Sequence, residues 1–379
     1  MRETRPSGSE GGATELNQSF LPLSFTTPRC SAFLSQGPFM YLGIEIGGTK
    51  LQLGVGTGDG PPLIALERRT VERTRGAAAI REQILDAGRK LVSQYPIERI
   101  GYGFGGPVNS MTGRVITSHQ VEGWTDFPIV DWTCEAFGVP VRLGNDCDVA
   151  ALAEASYGAG RGHGTVFYIT VGTGIGGGLV IDGQSQGAGR LAIAEIGHLR
   201  PGPLADDPHA TVESLAAGPG IEAAARALLT GQPRHPLIAA GAFAAQDFSV
   251  DWPTGRESEA ADDDTADLLG RCLGKIEGLN AKSIAQAAVA GNRIARAALH
   301  QAHVALGWGI AQMVTLLSPH VVVIGGGVSL MGEELFFEPL RRQVRRFVFP
   351  PLADSVRIVP AALDEEVVVH GAIALAATA

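Results

Sequence analysis

The chain has little that would place it outside the cell or across a membrane. Its 379 residues include four cysteines, Cys30, Cys134, Cys147 and Cys272, with no CxxC pair among them. That excludes a small disulfide framework and fits reduced thiols in a cytoplasm. No apolar run approaches the ~20 residues of a membrane span. Basic residues are outnumbered, 30 Lys and Arg against 39 Asp and Glu, so no electrostatic footprint for nucleic acid or an anionic membrane surface exists. Aromatic residues are sparse at 6%, yet 45% of the chain is hydrophobic, which is ample for buried cores in a chain long enough for two domains. Glycine is in excess, 51 residues where average usage gives roughly 27. Something in the fold needs many tight turns.

Residues 1–39 are rich in Ser, Thr, Gly and Pro and lack both periodicity and the pattern of a signal peptide, so they read as a disordered tail. Met40 stands directly before the first β run, which fits an upstream start assignment or a flexible leader. A low-complexity stretch near 239–267, ending in "ESEAADDDTAD", reads as a solvated acidic insertion. From Met40 onward, "YLGIEIG", "LQLGVGT" and "PLIALERRTV" suggest three meandering strands. "AAAIREQILDAGRKLVSQY" carries Ile80, Ile84, Leu91 and Val92 at helical spacing. "RIGYGFGG" predicts a buried strand, "FPIVDWTCEAFG" a helix, "VPVRLGN" a strand, and "DCDVAALAEASYG" a helix with Asp146 and Asp148 in its first turn, where acids complement the dipole. A second round follows: two β runs across "GTVFYITVGTGIGGGLVIDG", helices over roughly 214–230 and 283–318, the strand "HVVVIGGG", and a helix near 332–347. The order predicts an α/β chain in two related halves.

Three glycine turns follow β runs: "IGGTK" (46–50), "VGTGIGGG" (171–178) and "IGGGVS" (324–329). Glycines at strand ends let backbone amides approach phosphate oxygens. Gly172, Gly174 and Gly177 formally satisfy GxGxxG, but a strand follows them instead of the helix a Rossmann site needs. "GRCLGKI" fails as a Walker loop, with wrong spacing and no Ser or Thr after Lys275. By residue type alone, Asn145-Asp146 at a strand-to-helix junction is more often just an N-cap than a catalytic pair.

In this order, "IEIGGTK", "GNDCDVAALAE", "YITVGTGIGGGLV", "AEIGH" and "VVVIGGGVS" resemble the ROK family of bacterial sugar kinases and sugar-sensing repressors, over nearly all of residues 40–379. The resemblance implies a two-lobed actin-like ATPase (ribonuclease H-like) fold of duplicated α/β halves with a cleft between them. It implies a small lobe over 40–143, completed by a C-terminal helix over 366–379, and a large lobe over 144–365. It further implies an ATP-dependent hexose kinase with Mg²⁺, glucose the default acceptor, acting as a cytoplasmic homodimer. Asp146 matches the general base. Asn145, Glu195, His198, Glu213 and Gly106 match sugar-side positions. Gly47, Gly48, Thr49, Lys50, Gly172, Thr173, Gly174, Gly176, Gly325, Gly326 and Gly327 match the nucleotide side, and Glu45 the magnesium-side carboxylate.

Three departures qualify that expectation. "LRPGPLADDPHATV" lacks the three cysteines with which many relatives bind structural zinc, so no zinc site is expected and prolines 201, 203 and 208 stiffen the loop instead. Glu45 stands where Asp is usual, one methylene longer beside a metal that is strict about geometry. Gln120 in "QVEGW" replaces the usual Asn. Glu45 and Gln120 together motivate the alternative of a catalytically weak sugar-binding or regulatory protein. A repressor reading would need a helix-turn-helix, which the Gly/Pro/Ser-rich first 39 residues do not resemble.

Overall fold

The computed structural model describes residues 39–118, 120–190, 192–202, 207–231 and 258–378. The expected disordered tail, apart from Phe39, and the expected insertion before residue 258 lie outside the described residues. Strands β1 (Met40–Ile46), β2 (Lys50–Gly56) and β3 (Ala65–Thr70) form the expected meander. β4 (Ile97–Phe104) then pairs parallel to β1 after helix α1 (Gly76–Gln94). A short hairpin, β5 (Val108–Asn109) with β6 (Arg114–Val115), leads to α2 (Ile129–Phe137). β7 (Val141–Asn145) then joins β4 in parallel and runs straight into α3 (Asp146–Tyr157). The sheet order is β3-β2-β1-β4-β7. β1 is buried from Tyr41 to Ile46 and β4 from Ile100 to Phe104, the continuous apolar pattern of strands covered on both faces.

The same arrangement occurs again. β8 (Thr165–Val171), β9 (Ile175–Ile181) and β10 (Gln184–Ser185) form an antiparallel meander, and β11 (Val321–Gly325) and β12 (Arg357–Pro360) extend it in parallel, in the order β10-β9-β8-β11-β12. Both sheets thus repeat one topology, three antiparallel strands followed by two parallel ones. Between β10 and β12 come α4 (Val212–Ala216), α5 (Gly218–Leu229), α6 (Ser258–Arg271), α7 (Ala281–Val289), α8 (Arg293–Leu317) and α9 (Glu338–Phe347).

Two sequence expectations are revised here. The helix expected over 283–318 is two helices, because Gly291 takes a positive φ of 96° and Asn292 then caps α8 by accepting from Ala295 N at 3.0 Å. The acidic end of the supposed insertion is helical: it forms α6, where Asp264 pairs with Arg293 at 2.6 Å and Leu268 is fully buried. Within the stretch itself Asp262, Asp263 and Ala266 stay exposed, and burial begins at Leu268 just beyond it.

The last helix, α10 (Val367–Ala377), returns to pack on β1, β4 and α3. Gly371 permits this approach, since a Cβ there would sit 1.8 Å from Val149 O on α3. The buried Glu154 carboxylate ties the two helices' ends, accepting from Ala159 N (2.8 Å) on one side and from Ala362 N and Leu363 N (both 2.9 Å) on the other. Three backbone donors on one carboxylate give both of its oxygens partners at the junction.

Candidate active site

The carboxyl ends of the parallel strands converge, as ligand sites in α/β sheets do. The first glycine turn follows β1, Gly105-Gly106 follow β4, and Asn145-Asp146 follow β7. In the second sheet the turn at Gly172–Gly174 follows β8 and that at Gly325–Gly327 follows β11. A cavity of about 850 Å³ lies between the ends of β4 and β7 on one side and the turn after β8 on the other. It is lined by Gly106, Asn145, Asp146, Glu195, His198 and Glu213, and also by Gly172, Thr173, Gly174 and Gly176.

Asn145 and Asp146 sit where strand becomes helix. Asn145 Oδ1 caps α3 by accepting from Cys147 N at 2.9 Å, and its Nδ2 donates to Gly106 O at 3.0 Å. One side chain is therefore both an N-cap and part of the cavity lining. Asp146 Oδ1 accepts from the same Cys147 N at 2.9 Å. Its Oδ2 lies 3.4 Å from the place a Cβ on Gly105 would occupy, and Gly47 Cα lies 3.6 Å from that same place. Burial pushes the Asp146 carboxyl up to about 6, against the pull of the helix N-terminus and its amide. Asp148, two residues on, also lines the cavity; its Oδ1 is buried with no hydrogen-bond partner. Burial, then the charges of Asp146 and Glu195, push its carboxyl up to about 7.

Across the cavity Glu195 Oε2 lies 3.9 Å from His198 Nε2, both well exposed. Glu213, held on α4 by a Thr211–Ser214 capping box, accepts from Ile175 N at 2.7 Å. It thereby grips the second glycine turn while lining the cavity. That turn closes on itself through Gly172 N to Gly174 O at 2.9 Å. Gly176 has a packing duty: it lies within β9, where a Cβ would stand 2.5 Å from Cys147 Sγ and hold α3 away. The third turn abuts the second strand end through Val328 N to Val171 O at 2.9 Å, though Gly325, Gly326 and Gly327 do not line the cavity.

The first turn and Glu45 also stand outside that lining. Gly47 N donates to Lys50 O at 2.9 Å, closing the turn. Lys50 Nζ is held by Glu45 Oε1 at 3.1 Å and donates to Glu365 O at 3.0 Å, while Gln52 Nε2 donates to Glu45 Oε2 at 2.8 Å. Burial pushes the Glu45 carboxyl up despite the Lys50 ammonium. Both Glu45 oxygens are thus engaged. Each oxygen retains a lone pair able to accept from a metal-bound water. Among the described residues no group of three His, Cys, Asp or Glu side chains is arranged to hold a metal ion, and no helix is long and apolar enough to cross a membrane.

Asp148 was legible in the sequence only as a first-turn acid. Arg73, which donates to Gly48 O at 2.7 Å, and the loops at Ser110–Gly113 and Ser185–Arg190 that wall the cavity carried no signal, because their approach to the site is set by tertiary contacts.

Residues 41–379 match the sequence profile of the ROK family. The chain is 30% identical over 341 residues to a glucokinase of Halalkalibacterium halodurans, covering 87% of this chain and 93% of that protein, and 29% identical over 339 residues to a glucokinase of Thermotoga maritima, covering 87% and 95%. Its fold superposes on the crystal structure of a ROK family glucokinase from Streptomyces griseus in complex with glucose and AMPPNP. The TM-score is 0.68, with 27% identity over 89% of this chain and 99% of that one.

Proposed function

The chain belongs to the ROK family and is an ATP-dependent hexose kinase with the actin-like ATPase fold, and we propose that glucose is its acceptor and Asp146 its general base. One observation carries this reading. The Asp146 carboxylate stands at the cavity wall within reach of Gly105, which also touches the first glycine turn. A hydroxyl seated on Asn145, Asp146, Glu195 and His198 faces the phosphate side directly. Asp146 removes the hydroxyl proton as the γ-phosphoryl group transfers, while backbone amides of the glycine turns hold the phosphate oxygens in line. When bound with ATP, Mg²⁺ would supply charge neutralisation on those oxygens, and Glu45 is the residue that would hold its hydration water. On the same reading the protein is a cytoplasmic homodimer.

The test is ADP release with glucose, fructose, N-acetylglucosamine and N-acetylmannosamine, with glucose expected to give the highest kcat/KM. Glucose binding without turnover would instead support the regulatory reading that Glu45 and Gln120 raise. A carboxyl near 6 also sets a pH dependence: the base works only when deprotonated, so kcat/KM should fall below about pH 6 and level off above it. A flat profile between pH 5 and 7 would remove Asp146 from this role.

Glu45 makes a separate prediction. Glu45→Ala should raise the Mg²⁺ concentration needed for half-maximal initial rate several-fold, whereas Glu45→Asp should keep or lower it. Were Glu45 only a buried partner of Lys50 and Gln52, the Mg²⁺ dependence of all three proteins would be the same.

A further inference from the structure

Arg73 is an exposed residue in the short turn before α1, yet its guanidinium makes two bonds that meet nowhere else. Nε donates to Gly48 O at 2.7 Å, on the first phosphate turn, and Nη2 donates to Gln120 Oε1 at 3.3 Å, on the loop that lines the sugar cavity. The Gln120 oxygen also fills the space beside Gly48, 1.4 Å from where a Cβ there would sit. The surrounding backbone repeats the same connection. Val71 N donates to Thr49 O at 3.0 Å, and Ala77 N to Glu122 O at 2.8 Å. Segment 71–77 is therefore bonded at one end to the donor turn and at the other to the acceptor loop, with Arg73 the side chain that spans both. The acceptor loop is itself firm. Ser118 Oγ accepts from Gln120 N and Val121 N. Trp124 is buried edge-on against Phe104 at 5.3 Å, and Arg81 lies 5.6 Å from its ring centroid.

Resting on the kinase reading above, we propose that Arg73 is a positioning residue that couples the two substrates: sugar seated against the Gln120 loop presets the Gly48 turn for nucleotide, and the converse. The planar fork suits this, since one rigid group fixes two carbonyl oxygens relative to each other. It also gives the Gln at 120 a purpose, because the longer amide reaches Arg73 and Gly48.

The test is calorimetric titration of glucose alone and with saturating AMPPNP and Mg²⁺. In the unmodified protein the analogue should tighten glucose about 10-fold, a usual size for such coupling. In Arg73→Ala the factor should fall to near one, with affinity for glucose alone within about twofold and an unchanged melting temperature. Arg73→Lys keeps the charge but not the fork and should lose most of the coupling. Gln120→Ala should also bring the factor to near one, read as the ratio of its own glucose affinities with and without the analogue because Gln120 lines the cavity, and the double variant should lose no more coupling than either. Absence of coupling in the unmodified protein, its persistence in Arg73→Ala, or loss of glucose binding in the absence of nucleotide would each overturn the proposal. An unmodified protein that binds neither glucose nor AMPPNP would sink the kinase reading itself, and this proposal with it.

Discussion

Replacing Asp146 with asparagine is expected to lower kcat by about 10²–10⁴ while glucose affinity changes by no more than a few-fold. The amide preserves size, and its oxygen can still accept from Cys147 N, which holds Asp146 Oδ1 at 2.9 Å. What it cannot do is take a proton. The loss should therefore appear in kcat, with KM nearly unchanged, the pattern of an interaction made in the transition state. Because Asn145 caps α3 independently through its own Oδ1, the helix start should survive and melting should not shift appreciably. Retention of more than a tenth of the turnover would show that some other group accepts the proton.

Asp148→Asn is expected to stabilise the protein at pH 8. Asp148 Oδ1 is buried with no donor, and burial together with Asp146 and Glu195 disfavours its charge. Moving a carboxyl from 3.8 to about 7 corresponds to about 4 kcal/mol without solvent screening. Partial exposure reduces the expected gain to roughly 1–3 kcal/mol. The sign follows from proton binding: below about pH 4 both folded and unfolded chains keep the proton, so the variant gains nothing. Between 4 and 7 the unfolded chain has released its proton while the folded one retains it, so the folded state is progressively disfavoured. Above 7 the penalty is complete. Denaturant unfolding of both proteins across this range should give curves that diverge from pH 4 and run parallel above 7. A constant difference, or destabilisation at pH 8, would contradict the assignment of an unpartnered, charge-averse carboxyl.

Much of the fold was written locally. Apolar runs broken by glycine marked β1, β2, β4, β7, β8, β9 and β11 to within a residue or two, and Ile80, Ile84 and Leu91 marked the buried face of α1. The position of Asn145 before Asp146 announced a helix start, because an N-cap is a property of neighbours in sequence. The break at Gly291-Asn292 used the same chemistry but was hidden inside an unbroken apolar periodicity. The helical half of the acidic stretch was hidden too, since the Arg293 that pairs with Asp264 is 29 residues away.

The ordered glycine motifs by themselves determined the family and, through it, the reaction, because turn glycines and a strand-end acid are short-range features that survive in a linear string. The state of the groups was decided only in three dimensions. Glu45 looked like a metal-side acid, and the fold surrounded it with Lys50, Gln52 and the Glu365 carbonyl. Glu213 looked like a sugar contact, and the fold also bonded it to the second glycine turn. Asp148 became a buried acid without a donor, and Arg73 a bridge between two loops. Burial, desolvation and hydrogen-bond partnership depend on residues tens or hundreds of positions apart, so they exist only once the two sheets and the returning helix α10 have closed around them.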